Sequence, residues 1–455
     1  MNHDSKNKPA LRIDSLRLRN FRCFDEVTVK FHEQLTVIVA NNGQGKTAVM
    51  DAVAIALGPF VSAFDDGKDR PFERDDIRLI RVGQGNRMEL ADGGVRLEAT
   101  GVVGHKSESW KRELAGAKSR TTRKDARVLT QEAKKLQSQV RQETEILTTA
   151  TCLPLVAYYP TDRLWNIRRL PYKKLPRTSR MVGYTHCLES GSDFHLMADW
   201  FRYWSINSLK RRLHAQQAGE IVVPNEFDYA LEAVRNAINL CLKPSGWGGM
   251  DYSLEREEIV ASHPLYGELP VGMLSDGIRS MLTLVADIAF RMVKLNPNLG
   301  PHAATNADGV VLIDEVDMHL HPTWQQTVLT SLREAFPCVQ FIVTTHSPQV
   351  LSTVSKEHIR VLQHVDDLHS AEQPSFSPLA HESGDALAKV MGTQREPELA
   401  IQDAIRRYEQ LVRQGREESE DAGVLLNELE QEGYQFHESD LATWRFLAKR
   451  AKKAV

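Results

Sequence analysis

No run of the ~18 apolar residues needed to span a membrane occurs in this 455-residue chain. Its first residues, with Asp4, Lys6 and Lys8 in a polar stretch, lack the apolar core of a secretory leader. Both absences argue for a cytoplasmic protein with no membrane partner. Cysteine is scarce: Cys23, Cys152, Cys187, Cys241 and Cys338 stand singly, without a Cys-x-x-Cys pair, which excludes the common zinc and redox spacings and predicts reduced thiols. No internal repeat is visible, which excludes a solenoid. A net charge of only −3 excludes a polycation that coats nucleic acid wholesale. What remains is an ordinary soluble balance, 42% hydrophobic and 26% charged, sufficient for two or three units with a substantial core.

Charge is unevenly distributed. From 105 to 148 there are 11 Lys/Arg against 6 Asp/Glu, and from 163 to 180 there are 7 basic residues and no acidic one. From 396 to 440 the balance reverses to 13 acidic and 4 basic. The middle is suited to a polyanion and the tail to a basic partner, although a solvated helical face explains the tail equally well. In 163–180, Trp165 and Tyr172 among the cations would give a nucleic acid stacking surfaces. An exposed loop or an oligomer contact is the competing reading there.

Hydrophobic patterning sets out the units. Residues 1–104 read as the first lobe of an α/β head, with alternating strands near L-R-I-D-S-L-R-L, a buried strand at Q-L-T-V-I-V, and a helix stopping at Gly58 and Pro59. Residues 105–150 are polar with sparse apolar positions and predict an exposed helical arm. Residues 151–265 hold a buried strand from Leu153 to Tyr159, the basic loop and an aromatic-rich helix from Asp199 to Leu213. Residues 266–365 form the second lobe, with the continuous apolar runs of a parallel sheet, and 366–455 an acidic helical tail.

A-N-N-G-Q-G-K-T at 40–47, between a buried strand and a helix, matches G-x-x-x-x-G-K-[ST] except that Ala40 replaces the first glycine. The substitution is tolerable if Ala40 keeps a negative φ. Backbone N–H groups from Asn42 to Ala48, including those of Gly43, Gln44 and Gly45, would cradle ATP phosphates, with Lys46 adding charge and Thr47 a ligand for Mg2+. V-V-L-I-D-E at 310–315 places Asp314 for the Mg2+ shell and Glu315 to polarise water. The strand ending T-T-H at 344–346 brings His346 within reach of the γ-phosphate if the two strands are neighbours, because adjacent strands lie only ~5 Å apart. Each feature alone has a structural explanation, a helix cap or a buried histidine; their co-occurrence with the loop favours catalysis. His319 and His321 in D-M-H-L-H-P lack a third ligand and read as turn-shaping residues, not zinc ligands.

L-S-D-G-I-R at 274–279, ahead of a helix expected from about Ser280 to Val293, resembles the L-S-G-G-Q signature of ABC-class ATPases. The resemblance implies that Ser275, Asp276 and the amide of Gly277 face a γ-phosphate held by a second copy, so that active sites form in a homodimer or larger homo-oligomer. It also implies an ABC-type P-loop head, a mixed sheet with flanking helices, carrying an arm insertion and a C-terminal helical extension. Between Thr47 and Ser275 lie 227 residues, far more than in transporter ATPases; with L-R-L-R-N-F-R-C-F at 16–24, that length resembles the RecF-like and SMC-like branch. There, Arg12 or Arg22 would lie beside adenine. Y-Y-P-T-D-R-L-W at 158–165, T-T-H-S-P-Q-V-L at 344–351 and S-G-D-A-L-A-K-V-M-G-T-Q-R-E-P at 383–397 are similar to the PtuA ATPases of Septu antiphage systems, also attached to some retrons. That likeness implies an HNH nuclease partner, PtuB, and contact with DNA. The segment after Val365 carries neither a Toprim E…D-x-D set nor an H-N-H segment, so nuclease chemistry is expected in a partner. A RecF-like repair ATPase and an ATP-sensing scaffold with little turnover are the alternatives.

Overall fold

The computed structural model describes residues 9–83, 87–143, 151–161, 179–189, 194–365, 368–394 and 399–453. The chain divides into two units, Met1–Thr393 and Gln394–Val455.

The first unit opens with a hairpin of β1 (Leu11–Phe21) and β2 (Phe24–Lys30), then β3 (Leu35–Val39). In β1, Leu16 and Leu18 turn inward and Arg17 and Arg19 outward, the two-residue period of a half-buried strand. Every residue of β3 is buried, as a central parallel strand requires. Helix α1 (Lys46–Val61) is buried along all but Thr47, so it is enclosed on every side. It does not stop at Gly58 and Pro59. Proline has no N–H for the Ile55 carbonyl, but Arg112 Nη1 donates to that oxygen at 2.7 Å and Trp110 Nε1 donates to Ala56 O at 3.0 Å. Arg112, from a neighbouring strand, thus replaces the missing helical bond, and Trp110 of the same strand adds one to the next carbonyl.

That strand belongs to the segment expected as an exposed arm, and here the expectation is corrected. After the short pair β4 (Leu79–Arg81) and β5 (Met88–Leu90) come β6 (Val95–Val103) and β7 (Lys106–Leu114), which complete an antiparallel sheet ordered β2-β1-β6-β7. Helix α2 (Arg127–Gln142) buries Leu129, Ala133 and Leu136 and packs against α1. Residues 106–142 are therefore part of the head.

The second sheet gathers β8 (Leu155–Tyr159) with strands from the far half of the chain. Between them lie α3 (Phe194–Ala218), longer at both ends than the expected 199–213, α4 (Glu226–Leu242), and a three-stranded meander of β9 (Gly248–Ser253), β10 (Glu258–His263) and β11 (Gly267–Pro270). Helix α5 (Asp276–Leu295) starts four residues earlier than expected. After α6 (Ala303–Asn306) come β12 (Gly309–Ile313), α7 (Pro322–Gln325), α8 (Val328–Ala335), β13 (Val339–Thr344), α9 (Pro348–Leu351), β14 (Ile359–Val365), β15 (Leu368–Glu372) and α10 (Ser383–Lys389). The sheet order is β15-β14-β3-β13-β12-β8, parallel except for β15. This is the expected α/β head, a mixed sheet with flanking helices. The tail boundary shifts: β15 and α10 belong to the first unit.

The second unit contains α11 (Gln402–Arg413), α12 (Glu420–Gln431) and α13 (Glu438–Lys453) around its own core of Ile405, Tyr408, Val412, Ala422 and Leu429, with Phe436 and Trp444 packed against it. Among the described residues no helix is long and apolar enough to cross a membrane. The basic segment 163–180 lies outside the described residues except for Ser179 and Arg180.

Candidate functional site

The parallel strands β3, β13, β12 and β8 are neighbours, and their C-terminal ends deliver the motif residues to one edge. At β3, Ala40 is buried and its φ is not positive, which meets the condition for replacing glycine. Gly43 (φ 80°) and Gly45 (φ 91°) take the left-handed conformation that curls the loop. A Cβ on Gly45 would lie 2.4 Å from the Phe24 ring, so this turn also needs glycine for space. Asn42 is exposed, Gln44 accepts from the Asn41 amide at 3.1 Å, and Ala48 is buried in α1. Lys46 opens α1 and donates from Nζ to Ala40 O at 2.9 Å. Burial pulls its pKa down, while Asp314, Glu315 and Asp317 oppose that by favouring the ammonium.

Asp314 follows β12 and is buried. Its Oδ2 accepts from Thr47 Oγ1 at 2.7 Å and from Thr161 Oγ1 at 3.0 Å; its Oδ1 accepts from Thr344 Oγ1. Thr344 Oγ1 in turn accepts from the Glu315 amide at 2.7 Å. Glu315 has φ 48°, an uncommon conformation for a side-chain-bearing residue. It is fixed on both sides by Asp314 N donating to Tyr159 O at 2.8 Å and Val316 N donating to Thr344 O at 2.9 Å. His346 lies half-buried just past the end of β13, beside Thr345, whose hydroxyl donates to Asp317. Lys46, Thr47, Asp314 and Glu315 are thus brought together, with His346 on the adjoining strand end.

Ser275 and Asp276 are exposed at the start of α5, with Ser275 as its N-cap. Asp276 pairs with Arg279. A Cβ on Gly277 would meet His319 O at 2.4 Å, so α5 abuts the turn that follows the acidic strand end. His319 has φ 62°, and His321 Nδ1 accepts from Thr323 N at 3.3 Å as the N-cap of α7. Both histidines shape the turn.

Motif reading missed several participants. Thr161, just past β8, and Thr344, at the end of β13, converge on Asp314; both lie within motif stretches, but nothing in those stretches marks them as partners of that carboxylate. A buried cluster also joins α5 to β8: Tyr159 Oη donates to Asp287 Oδ2 at 2.7 Å, Arg291 Nε donates to the same oxygen at 2.7 Å, and Arg291 Nη1 donates to Gly183 O and Thr185 O at 2.9 Å each. Asp51, on α1, accepts from Arg22 and Arg70. Burial, then Asp51 and Asp314, holds the Tyr158 phenol far above its usual range and keeps it protonated. Of the adenine candidates, Arg22 bridges Asp51 and Asp76, while Arg12 pairs with Asp14 and Glu33. Buried aspartates opposite distant arginines were the available sequence signal, but no spacing rule pairs them.

Residues 15–238 match a family model described as an AAA domain, and residues 259–352 match one described as AAA domain, putative AbiEii toxin, Type IV TA system. The chain is 25% identical over 466 residues to the Retron Vc95 probable ATPase of Vibrio cholerae serotype O1 biovar El Tor, covering 90% of this chain and 85% of that protein. It is 40% identical to the Septu protein PtuA of Bacillus mycoides (strain KBAB4) over 89 residues, 20% of this chain and 12% of that one. Among solved structures, an SMC head bound to the C-winged helix domain of ScpA covers 79% of this chain and 96% of its own at 16% identity, with a TM-score of 0.46.

Proposed function

We propose that this chain, an ABC-class P-loop ATPase resembling PtuA, hydrolyses ATP at sites shared between two copies and serves as the regulatory ATPase of a retron- or Septu-type antiphage system, controlling a partner nuclease of the HNH kind. The observation that carries the ATPase chemistry is the meeting of Lys46, Thr47, Asp314 and Glu315 at the ends of neighbouring parallel strands. The defence setting rests on the retron relative, which aligns across 90% of this chain.

Mg2+ fits by donor chemistry: Thr47 hydroxyl and Asp314 carboxylate are hard oxygen donors 2.7 Å apart. Bound there, it would offset the negative charge of the phosphate oxygens. Lys46 binds the phosphates, and its site opposes the anions Asp314, Glu315 and Asp317 with one ammonium, so a triphosphate raises the demand for that charge. Glu315 takes the proton of the attacking water, and His346 donates toward the γ-phosphate. Ser275, exposed at the start of α5, supplies its hydroxyl to the nucleotide of the second copy, and the Gly277 amide adds a helix N-terminal donor.

Sharing between copies is tested by mixing. Lys46→Ala and Ser275→Arg variants are each expected to be inactive alone. In a 1:1 mixture half of all dimers are mixed, and each of these contains one intact site, so about one quarter of native turnover returns. No recovery after subunit exchange, verified by differently tagged copies, sinks the shared-site reading. Co-purification with a neighbouring HNH gene product tests the partner.

A further inference from the structure

We infer that the outward face of α2, with the loop leading into it, is a docking surface for the phosphate backbone of a nucleic acid duplex. Its residues are other than those of segment 163–180. Between 115 and 138 the chain carries seven cations and two anions. Both anions are already paired, Asp125 with Lys111 at 3.7 Å and Glu132 with Lys135 at 3.0 Å. Arg123 pairs with Asp69. Lys118, Arg120, Lys124, Arg127 and Lys134 are exposed and have no ion-pair partner among the described residues.

Their placement follows from helix geometry. The buried side of α2 is Leu129, Ala133 and Leu136; Arg127, Gln131, Lys134 and Ser138 recur at intervals of three and four on the opposite face, and all four are exposed. Arg127 and Lys134 stand two turns apart, about 10 Å, close to three base-pair rises of ~3.4 Å. Lys124 extends the row at the helix entrance, and Lys118 and Arg120 are exposed in the loop that leads into it. Gln131 and Ser138 supply uncharged donors in the gaps, a composition typical of backbone contacts.

What is missing from this face selects the partner. Among the described residues from 89 to 208 no large apolar side chain is strongly exposed. A protein partner would look for an apolar anchor inside a polar rim, a membrane for aliphatic residues to bury, and a single strand for aromatic rings to stack on. A duplex backbone needs none of these and responds to a row of cations. The contrast is α3, where Lys210 and Arg211 adjoin the exposed Leu209 and Leu213, a mixed surface of the protein-binding kind.

The test is anisotropy of a short labelled DNA duplex with the full chain across a salt series. Five phosphate contacts give a log–log salt slope of about −4.5. K124Q/R127Q/K134Q is expected to weaken binding about 100-fold at physiological salt and to reduce the slope by about 3, with ATP turnover without DNA at the native level. K118Q/R120Q produces a smaller loss in the same direction. K210Q/R211Q leaves binding unchanged. The inference is overturned if the triple variant keeps native affinity and slope, if loss follows α3 instead, or if a single strand of equal length or anionic vesicles bind the α2 face more tightly than the duplex. ATP turnover at the native level throughout would leave the ATPase reading standing in each of those outcomes.

Discussion

The Thr344 hydroxyl sits between Asp314 and Glu315, donating to a carboxylate oxygen of the first and accepting from the backbone amide of the second. Because an amide can only donate, the direction of both bonds is fixed. A side chain on β13 thereby sets the position of two acids that follow β12, and it holds Glu315 in a conformation that costs about 1 kcal/mol or more if left unsupported.

Thr344→Val keeps the shape and deletes the hydroxyl. It leaves a buried carboxylate oxygen and an amide without their partner, so unfolding free energy should fall by about 1–3 kcal/mol. ATP turnover should fall about 10- to 100-fold, because Glu315 loses its alignment. Thr344→Ser should recover most of both. Phosphate release and urea unfolding measured on the three proteins decide this; equal turnover in the valine and serine variants sinks the positioning role.

Glu315→Gln should reduce turnover by about 100-fold or more while ATP remains bound, since the amide retains size but not basicity. Filter binding of labelled ATP beside phosphate release separates the two quantities. Unchanged phosphate release would remove Glu315 from the chemistry.

Gly277→Ala pushes a methyl group to within 2.4 Å of His319 O, a backbone atom that cannot swing aside. A stability loss of about 1–3 kcal/mol is expected, together with lower turnover, because the start of α5 must move off the acidic turn. Thermal unfolding and a turnover assay read the two effects; an alanine variant as stable as the native chain contradicts the close packing.

Arg291→Met strands the Asp287 carboxylate in a fully buried environment and should cost about 3–5 kcal/mol. Tyr159→Phe removes a single bond to the same carboxylate and should cost about 1–2 kcal/mol. The double variant should cost less than the sum, because both act on one group, and denaturant titration of the three proteins checks the non-additivity.

Lys294 is buried against the Trp200 ring, with Nζ 3.5 Å from its centroid, and burial lowers its pKa to about 8. The folded pKa lies below the unfolded value of 10.5, so the unfolded chain holds more protons between pH 8 and 10.5. Stability from this group therefore rises with pH across that window, and the burial penalty is fully present below pH 8. Lys294→Met should be more stable than the native chain at pH 7 by about 1–2 kcal/mol, the ring contact offsetting part of the penalty. The difference should shrink toward pH 10.5. Melting curves at pH 7 and pH 10 that show a constant difference contradict the shift.

The phosphate loop and the acidic strand end were legible because each is local: the glycines, the lysine and the apolar strands lie within one short stretch of chain. What sequence reading lost was set by topology. Thr161, Thr344 and Asp314 come from three strands far apart in the chain, and only the order β13-β12-β8 makes them neighbours. The supposed arm was misread for a different reason. In β7 the inward positions are Trp110, Arg112 and Leu114, and the middle one is a fully buried arginine, so the alternating pattern looks polar. Arg112 is admissible there because Asp69 neutralises it and three carbonyls accept its N–H groups.

Gly277 ties the start of α5 to the turn that follows the acidic strand end. With no side chain between α5 and the His319 carbonyl, the start of that helix and the turn behind the acids have no slack separating them. A shift of either must displace the other. Movement at the start of α5 would then be felt at Glu315 as a steric event, with no intervening side chain to absorb it.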